Sequence, residues 1–336
     1  MDYENEIEKR LLSNPVVFYS ISDTNFELIN YSKENAILKI DYKPCFKVLE
    51  KFYAVNNKNI LNFKFFSSRS SSTSSNNHNT NTCNNTCNIL IHGFGSKNKK
   101  IYYQIAEKFN SYGIDSLIYC LPFHFERFVE TVETDYSRIK EDKIKQQKNI
   151  QKKFKSSKNV YDVSDFRAVL EIFRQSVIEL RIIIRLLKEL GYKKVGVFGF
   201  SFGGFCASLL CCFEESLDFA IPIASMGDFS SLKAFKQKEN KDIKDTKNTI
   251  NEYFSKKYIH LISPINFYPT LSPERILFFQ GVFDNRAPII EAIKLIKKWK
   301  PKKAIFYPCD HFSFFLFNRV TVKISAKFIK SLVKLP

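Results

Sequence analysis

The run from Val195 to Cys212 constrains the fold of this 336-residue chain more than any other stretch. Its first residues, Val195–Phe198, are typical of a buried strand, and the small and apolar residues after Ser201 are typical of a helix packed on a sheet. Gly199 and Gly203 flank the serine in the pattern Gly-x-Ser-x-Gly. Because so tight a turn leaves little room for side chains, the pattern predicts a strained junction with an exposed hydroxyl. Ser201 is the candidate nucleophile, and a close helix–sheet contact without chemistry is the alternative.

A second glycine turn follows the predicted buried strand that starts at Asn88. Its residues His92-Gly-Phe-Gly95 do not complete the spacing of either common phosphate-binding loop. After a strand, such a turn is typical of an oxyanion hole, in which backbone amides stabilise a tetrahedral intermediate. We therefore predict that the amides of Phe94 and Phe202 form this hole, while His92 braces the loop.

An acid and a histidine follow two later predicted strands. Asp284 comes after a strand that starts at Arg275, and His311 comes after the strand Lys303–Pro308. Parallel strands place their carboxyl ends at one edge of a sheet, so these side chains can meet Ser201 there. His311 would act as the general base and Asp284 would orient its imidazole.

Two other acids compete with Asp284 for this role. Asp228 follows the strand that ends at Ala224 and is the alternative acid. Asp310 is a poor candidate, because the sequence neighbour of His311 rarely reaches its ring in the required geometry.

This order of motifs resembles the α/β-hydrolase superfamily, over roughly residues 88–334. The resemblance implies an α/β fold with a mostly parallel central sheet flanked by helices and preceded by antiparallel strands. It also implies a serine esterase or lipase-like enzyme that works through an acyl-enzyme, with no cofactor and no metal. Pro122–Arg127 further resembles a branch of uncharacterised esterase-like members. The departures are a Ser/Asn tract, a lysine-rich lid and Asp310.

The chain is long enough for one domain over residues 1–336 with insertions. Residues 67–87 are almost entirely Ser, Asn and Thr, which predicts a disordered insertion. Residues 123–164 predict a lid-like loop, and residues 225–273 predict a cap-like excursion. Within the Ser/Asn tract, His78 and two cysteines lack the second ligand pair that a zinc site needs.

The net charge of +18 comes mainly from 41 lysines among 52 basic residues, spread along the chain. This excess is compositional and predicts no specific nucleic-acid binding, although it permits a weak attraction to an anionic membrane surface. The N-terminus has no secretory apolar segment, and we expect a cytoplasmic protein with buried, reduced cysteines. A row of cations with a spacing of seven, Arg167, Arg174, Arg181 and Lys188, predicts a solvated helix face.

The positions around the predicted site are rich in phenylalanine, namely Phe94, Phe123, Phe200, Phe202 and Phe312. An apolar mouth of this kind suits an acyl ester or thioester, including a lipid. His124 and Arg127 either line this mouth or brace their loop. Acyl transfer, peptide hydrolysis and non-catalytic binding on the same scaffold stay open, and no sequence feature sets an oligomeric state.

Overall fold

A computed structural model describes most of the chain. The described residues are 6–22, 24–32, 35–46, 60–66, 85–127, 166–231 and 246–333. Most of the predicted insertion at 67–87, most of the lid-like loop at 123–164 and residues 232–245 of the cap-like excursion lie outside them. The single-domain organisation over 1–336 stays a prediction.

The described residues form a nine-stranded sheet in the order β1-β2-β3-β5-β4-β6-β7-β8-β9. In this order, neighbours from β1 to β5 pair antiparallel. Neighbours from β5 through β4, β6, β7 and β8 to β9 pair parallel. The predicted mostly parallel sheet with antiparallel N-terminal strands is confirmed. The strands are β1 Asn25–Tyr31, β2 Asn35–Asp41, β3 Ile60–Phe66, β4 Thr86–Ile91, β5 Asp115–Tyr119, β6 Lys194–Phe200, β7 Phe219–Ile223, β8 Leu277–Gly281 and β9 Lys303–Tyr307.

Helices flank this sheet, so the central strands β4, β5 and β7 are buried along their whole length. The α-helices are α1 Glu6–Leu12, α2 Pro15–Phe18, α3 Lys100–Asn110, α4 Phe166–Glu189, α5 Phe202–Phe213, α6 Thr246–Tyr258, α7 Ile289–Trp299 and α8 Asn318–Val333. Within the described ranges, none of them is long and apolar enough to cross a lipid bilayer. The cysteines that these ranges contain are buried free thiols.

The start of β4 corrects the predicted insertion at 67–87. Thr86 and Cys87 belong to the strand rather than to the tract, because they pair with Lys194 and Val195 of β6 and are buried. Both are small side chains that fit between the sheet and its helices.

The row of cations on α4 is not the predicted solvated face. Arg174 is buried, its Nε donates to the carbonyl of Phe18 at 2.9 Å, and its guanidinium pairs with Glu171. Arg181 pairs with the buried Glu214 at 3.0 Å. The prediction failed because periodicity marks a helix face but does not show that the N-terminal segment covers it.

Candidate active site

Ser201 stands at the sharp junction between β6 and α5, with φ of 57° and ψ of −115°. Such a backbone is costly for a residue with a side chain and needs close support from its surroundings. A Cβ on Gly199 would lie 2.0 Å from the carbonyl oxygen of Gly203, and one on Gly203 would lie 2.2 Å from that of Ile91. Both flanking glycines are therefore sterically required, as the motif predicts.

His311 lies between Ser201 and Asp284. Its Nε2 is 2.9 Å from Ser201 Oγ, and its Nδ1 is 2.7 Å from Asp284 Oδ2. Both His311 and Asp284 are buried. Because an ionised carboxylate only accepts hydrogen bonds, Nδ1 carries the proton of the neutral ring and Nε2 is free to accept from the serine hydroxyl. The three side chains form a continuous hydrogen-bonded path from Ser201 through His311 to Asp284.

The loop after β8 fixes the orientation of Asp284. Its Oδ1 accepts hydrogen bonds from the amides of Arg286 and Ala287 at 2.9 and 2.8 Å. The other oxygen, Oδ2, is thereby directed to His311. One carboxylate oxygen shapes the loop while the other holds the imidazole.

The two competing acids lie elsewhere. Asp228 accepts from the amide of Ser230 at 2.8 Å, and the structure places Asp284 rather than Asp228 at the histidine ring. Asp310 accepts from the amide and hydroxyl of Ser313, and these hydrogen bonds lower the pKa of its carboxyl. Asp310 therefore caps the turn that follows β9.

The predicted oxyanion turn packs against the serine. A Cβ on Gly93 would lie 3.3 Å from Ser201 Cβ, so this backbone approaches the nucleophile closely. The rings of Phe94 and Phe202 are 6.0 Å apart. The two segments predicted to supply amides thus meet beside Ser201.

The fold has counterparts among solved structures. No family model matches the sequence, and a search of curated proteins gives no match. Among solved structures, acetyl xylan esterase 1 from Thermoanaerobacterium sp. is 13% identical with a TM-score of 0.50, covering 96% of this chain and 94% of that one. The chain has the α/β-hydrolase fold.

Two further solved structures are similar to this α/β-hydrolase fold. A cold-adapted esterase from an Arctic intertidal metagenomic library is 10% identical, with a TM-score of 0.47, and covers 89% of this chain and 96% of its own. Est1E from Butyrivibrio proteoclasticus is 14% identical, with a TM-score of 0.45, and covers 82% of this chain and 96% of its own.

His92 ties the predicted oxyanion turn, residues 92–95, to the end of β5. Its Nε2 accepts from the amide of Leu121 at 3.0 Å, and its Nδ1 donates to the carbonyl of Gly93 at 2.8 Å. Burial holds the pKa of His92 well below its usual range, so the ring is neutral. The geometry matches the predicted bracing role.

His124 supports the same turn from the other side. Its Nε2 accepts from the amide of Gly95 at 2.9 Å, and its Nδ1 donates to the carbonyl of Pro122 at 2.8 Å. Burial lowers the pKa of His124 to about 4, so this ring is also neutral at physiological pH. Both nitrogens are occupied by backbone groups, which favours the bracing alternative over a place in a substrate mouth.

Arg127 lies in the interior rather than at a mouth. Its guanidinium is 1% exposed and donates to both carboxylate oxygens of Glu179 at 2.7 and 2.8 Å. Tyr119 donates to the same carboxylate at 2.6 Å. This ion pair favours the alternative that Arg127 braces its loop. Glu179 was missed from the sequence, although an acid on the largely apolar helix α4 is the signal that could have found it.

The phenylalanines expected around the site separate into two groups. Phe200 packs on His311 with a ring distance of 5.1 Å, and Phe202 stacks on Phe173 at 4.2 Å. Phe123 is buried, whereas Phe94 and Phe312 are exposed. Among the described residues, no cluster of His, Cys, Asp and Glu could hold a metal ion.

Proposed function

We propose that this chain is a serine hydrolase that cleaves a carboxylic ester or a thioester through an acyl-enzyme. The observation that carries the proposal is the continuous hydrogen-bonded path from Ser201 Oγ through His311 to Asp284, with 2.9 and 2.7 Å between successive atoms. Ser201 attacks the acyl carbon while His311 Nε2 takes its proton. His311 then returns that proton to the leaving group, and Asp284 stabilises the imidazolium formed in between.

The oxyanion of the tetrahedral intermediate would be held by the amides of Phe94 and Phe202. Phe202 is the first residue of α5, and the first amides of a helix have no partner within the helix and lie at the positive end of its dipole. A donor of this kind contributes about 3 kcal/mol of transition-state stabilisation. The two histidine braces keep the Phe94 turn in place before substrate binds.

The aromatic side chains beside Ser201 favour an apolar acyl group. Phe200 ends β6 and Phe202 begins α5, and both rings are buried beside the serine. Phe94 is 42% exposed with its ring 6.0 Å from that of Phe202, so it presents an accessible apolar surface there. Such surfaces bind acyl chains or aromatic acids through burial of apolar area. The acetyl xylan esterase of similar fold is named as an ester hydrolase, and this scaffold can hold the same class of chemistry.

A fluorophosphonate probe tests the proposal directly. We expect it to label wild-type protein at Ser201 and to leave a folded Ser201→Ala variant unlabelled. Asp284→Asn should lower kcat by about 10⁴-fold because the imidazole loses its tautomer, as in related triads. Asp228→Asn is the matched control and should change kcat little, since its carboxylate lies away from His311.

A panel of p-nitrophenyl esters of increasing acyl length, run with matching thioesters, would then define the acyl group. Rates that rise with acyl length would support an apolar acyl site. A folded wild-type protein that neither reacts with the probe nor turns over any ester would overturn the proposal in favour of non-catalytic binding.

A further inference from the structure

Large apolar side chains are exposed around the mouth of the proposed active site. They lie on the segments that follow β4, β8 and β9 or on the first turns of the next helices. Their exposed fractions range from 38 to 84%. We call this set the apolar rim. It consists of Phe94, Val282, Phe283, Ile290, Phe312, Leu316 and Val320.

The rim is one surface because its segments are joined. Val282 and Phe283 donate their amides to the carbonyls of Tyr307 and Cys309, which ties the end of β8 to the end of β9. The guanidinium of Arg286 lies 4.8 Å from the ring centre of Phe312. The rim therefore lies on and beside the loops that carry Asp284 and His311.

Folding alone does not account for this exposure. Leu316 is 84% exposed on the 3-10 turn Ser313–Phe317, and Phe283 is 66% exposed directly beside Asp284. Single apolar residues are common on protein surfaces, but a contiguous set around a functional site marks an interaction surface. The rim thus indicates a partner with an apolar interior.

The charges on the rim segments are mostly positive. The exposed cations on these segments include Lys97, Lys100, Arg286, Lys294, Arg319 and Lys323. Among the acids of these segments, Asp310 is exposed, whereas Asp284 is buried against His311 and Glu291 is buried with a bond to Lys294. An apolar patch edged with cations fits a partner that is apolar within and anionic at its surface.

We propose that the apolar rim docks the mouth of the active site onto an anionic phospholipid surface. The exposed phenylalanine and leucine side chains would enter the boundary between headgroups and acyl chains, and the cations would pair with lipid phosphates. Ser201 then faces the membrane. This docking goes beyond the proposed hydrolysis, since binding does not require turnover.

Vesicle sedimentation with the full-length Ser201→Ala protein tests the docking apart from catalysis. We expect binding to phosphatidylcholine vesicles that contain about 30% phosphatidylserine, and much weaker binding to pure phosphatidylcholine. Raising the salt concentration should weaken the binding, because screening acts on exposed charges.

Two rim variants and two matched controls locate the surface. Phe312→Ser with Leu316→Ser should reduce the partition coefficient at least about tenfold, and Arg286→Gln should reduce it about fivefold. Phe26→Ser is the apolar control, since Phe26 is also exposed but lies on the far edge strand β1. Lys303→Gln is the charge control. Lys303 lies at the amino end of β9, whereas the rim lies near the carboxyl ends of the strands.

The rim assignment stands if circular dichroism shows all variants folded and only the rim variants lose binding. Equal loss in the controls, full binding by the double rim variant, or indifference to phosphatidylserine would each overturn it. Self-association that the double rim variant abolishes, in protein that does not bind vesicles, would instead assign the rim to a protein interface.

Discussion

The substitution Arg127→Met would leave a carboxylate unpaired in the protein interior. Arg127 and Glu179 are 1% and 0% exposed, and two hydrogen bonds join them. Removing one partner of such a pair costs about 3–5 kcal/mol, because the remaining charge stays buried. Glu179 keeps hydrogen bonds from Tyr119 and Gln175, so we expect the lower end of this range, about 3 kcal/mol.

That loss can be converted into a shift of the melting temperature. An entropy of unfolding of about 2.1 cal/mol/K per residue gives roughly 0.7 kcal/mol/K for a chain of this length. A loss of about 3 kcal/mol then lowers Tm by about 4 °C. Differential scanning calorimetry and urea titration measure the two quantities independently.

A double-mutant cycle separates the ion pair from general packing. Arg127→Met combined with Glu179→Gln removes both charges and leaves an amide oxygen for Tyr119, so we expect it to recover at least about 1.5 kcal/mol. Arg185→Met is the matched control, because Arg185 is 43% exposed at its pair with Glu214 and should cost under about 1 kcal/mol. If the losses in free energy of unfolding from Arg127→Met and Glu179→Gln simply add in the double variant, the two side chains are not coupled and the ion pair does not explain the loss.

Two further predictions concern His124 and Ser201. Burial lowers the folded-state pKa of His124 from 6.5 to about 4. Between these two pH values the unfolded chain binds more protons than the folded chain. The free energy of unfolding should therefore fall by about 3 kcal/mol as the pH drops from 6.5 to 4. Urea titrations at pH 7 and pH 4 should show a smaller loss in His124→Gln, and an equal loss would contradict the assignment. Ser201→Gly should be more stable than Ser201→Ala by about 1 kcal/mol, because only glycine accepts φ of 57° and ψ of −115° without strain. Equal unfolding midpoints would show that the turn is not strained.

The order of the motifs was enough to bring the three site residues together. Parallel strands end at one edge of a sheet, so Ser201, Asp284 and His311 could be placed at the same edge although 110 residues separate the first from the last. The glycines carried equally direct information, because the space available at Gly199 and Gly203 excludes every side chain. These are local steric rules, and local rules can be read from a sequence.

Long-range pairing of charged residues could not be read in the same way. The spacing of Arg174 and Arg181 predicted that they share one face of α4. The groups that bind them belong to Phe18, Tyr19 and Glu214, and no periodicity in the sequence connects these residues to α4. Strand β1 was likewise missed, because its residues are exposed on both faces and carry no alternation. What covers a face depends on the path of the whole chain.

The pairing of Arg127 with Glu179 bears on the chemistry of the site as well as on stability. Glu179 lies in the core helix α4 and pairs with Arg127, the last residue of a short 3-10 turn. His124 directly precedes this turn and accepts a hydrogen bond from the amide of Gly95. The amide of Arg127 donates to the carbonyl of His124 at 3.0 Å, so a chain of hydrogen bonds runs from the core to the residue after Phe94. An oxyanion hole contributes most when its donors are fixed before the charge develops. Because His124, Arg127 and Glu179 are buried, the turn can hold its geometry beside a serine whose own backbone is strained.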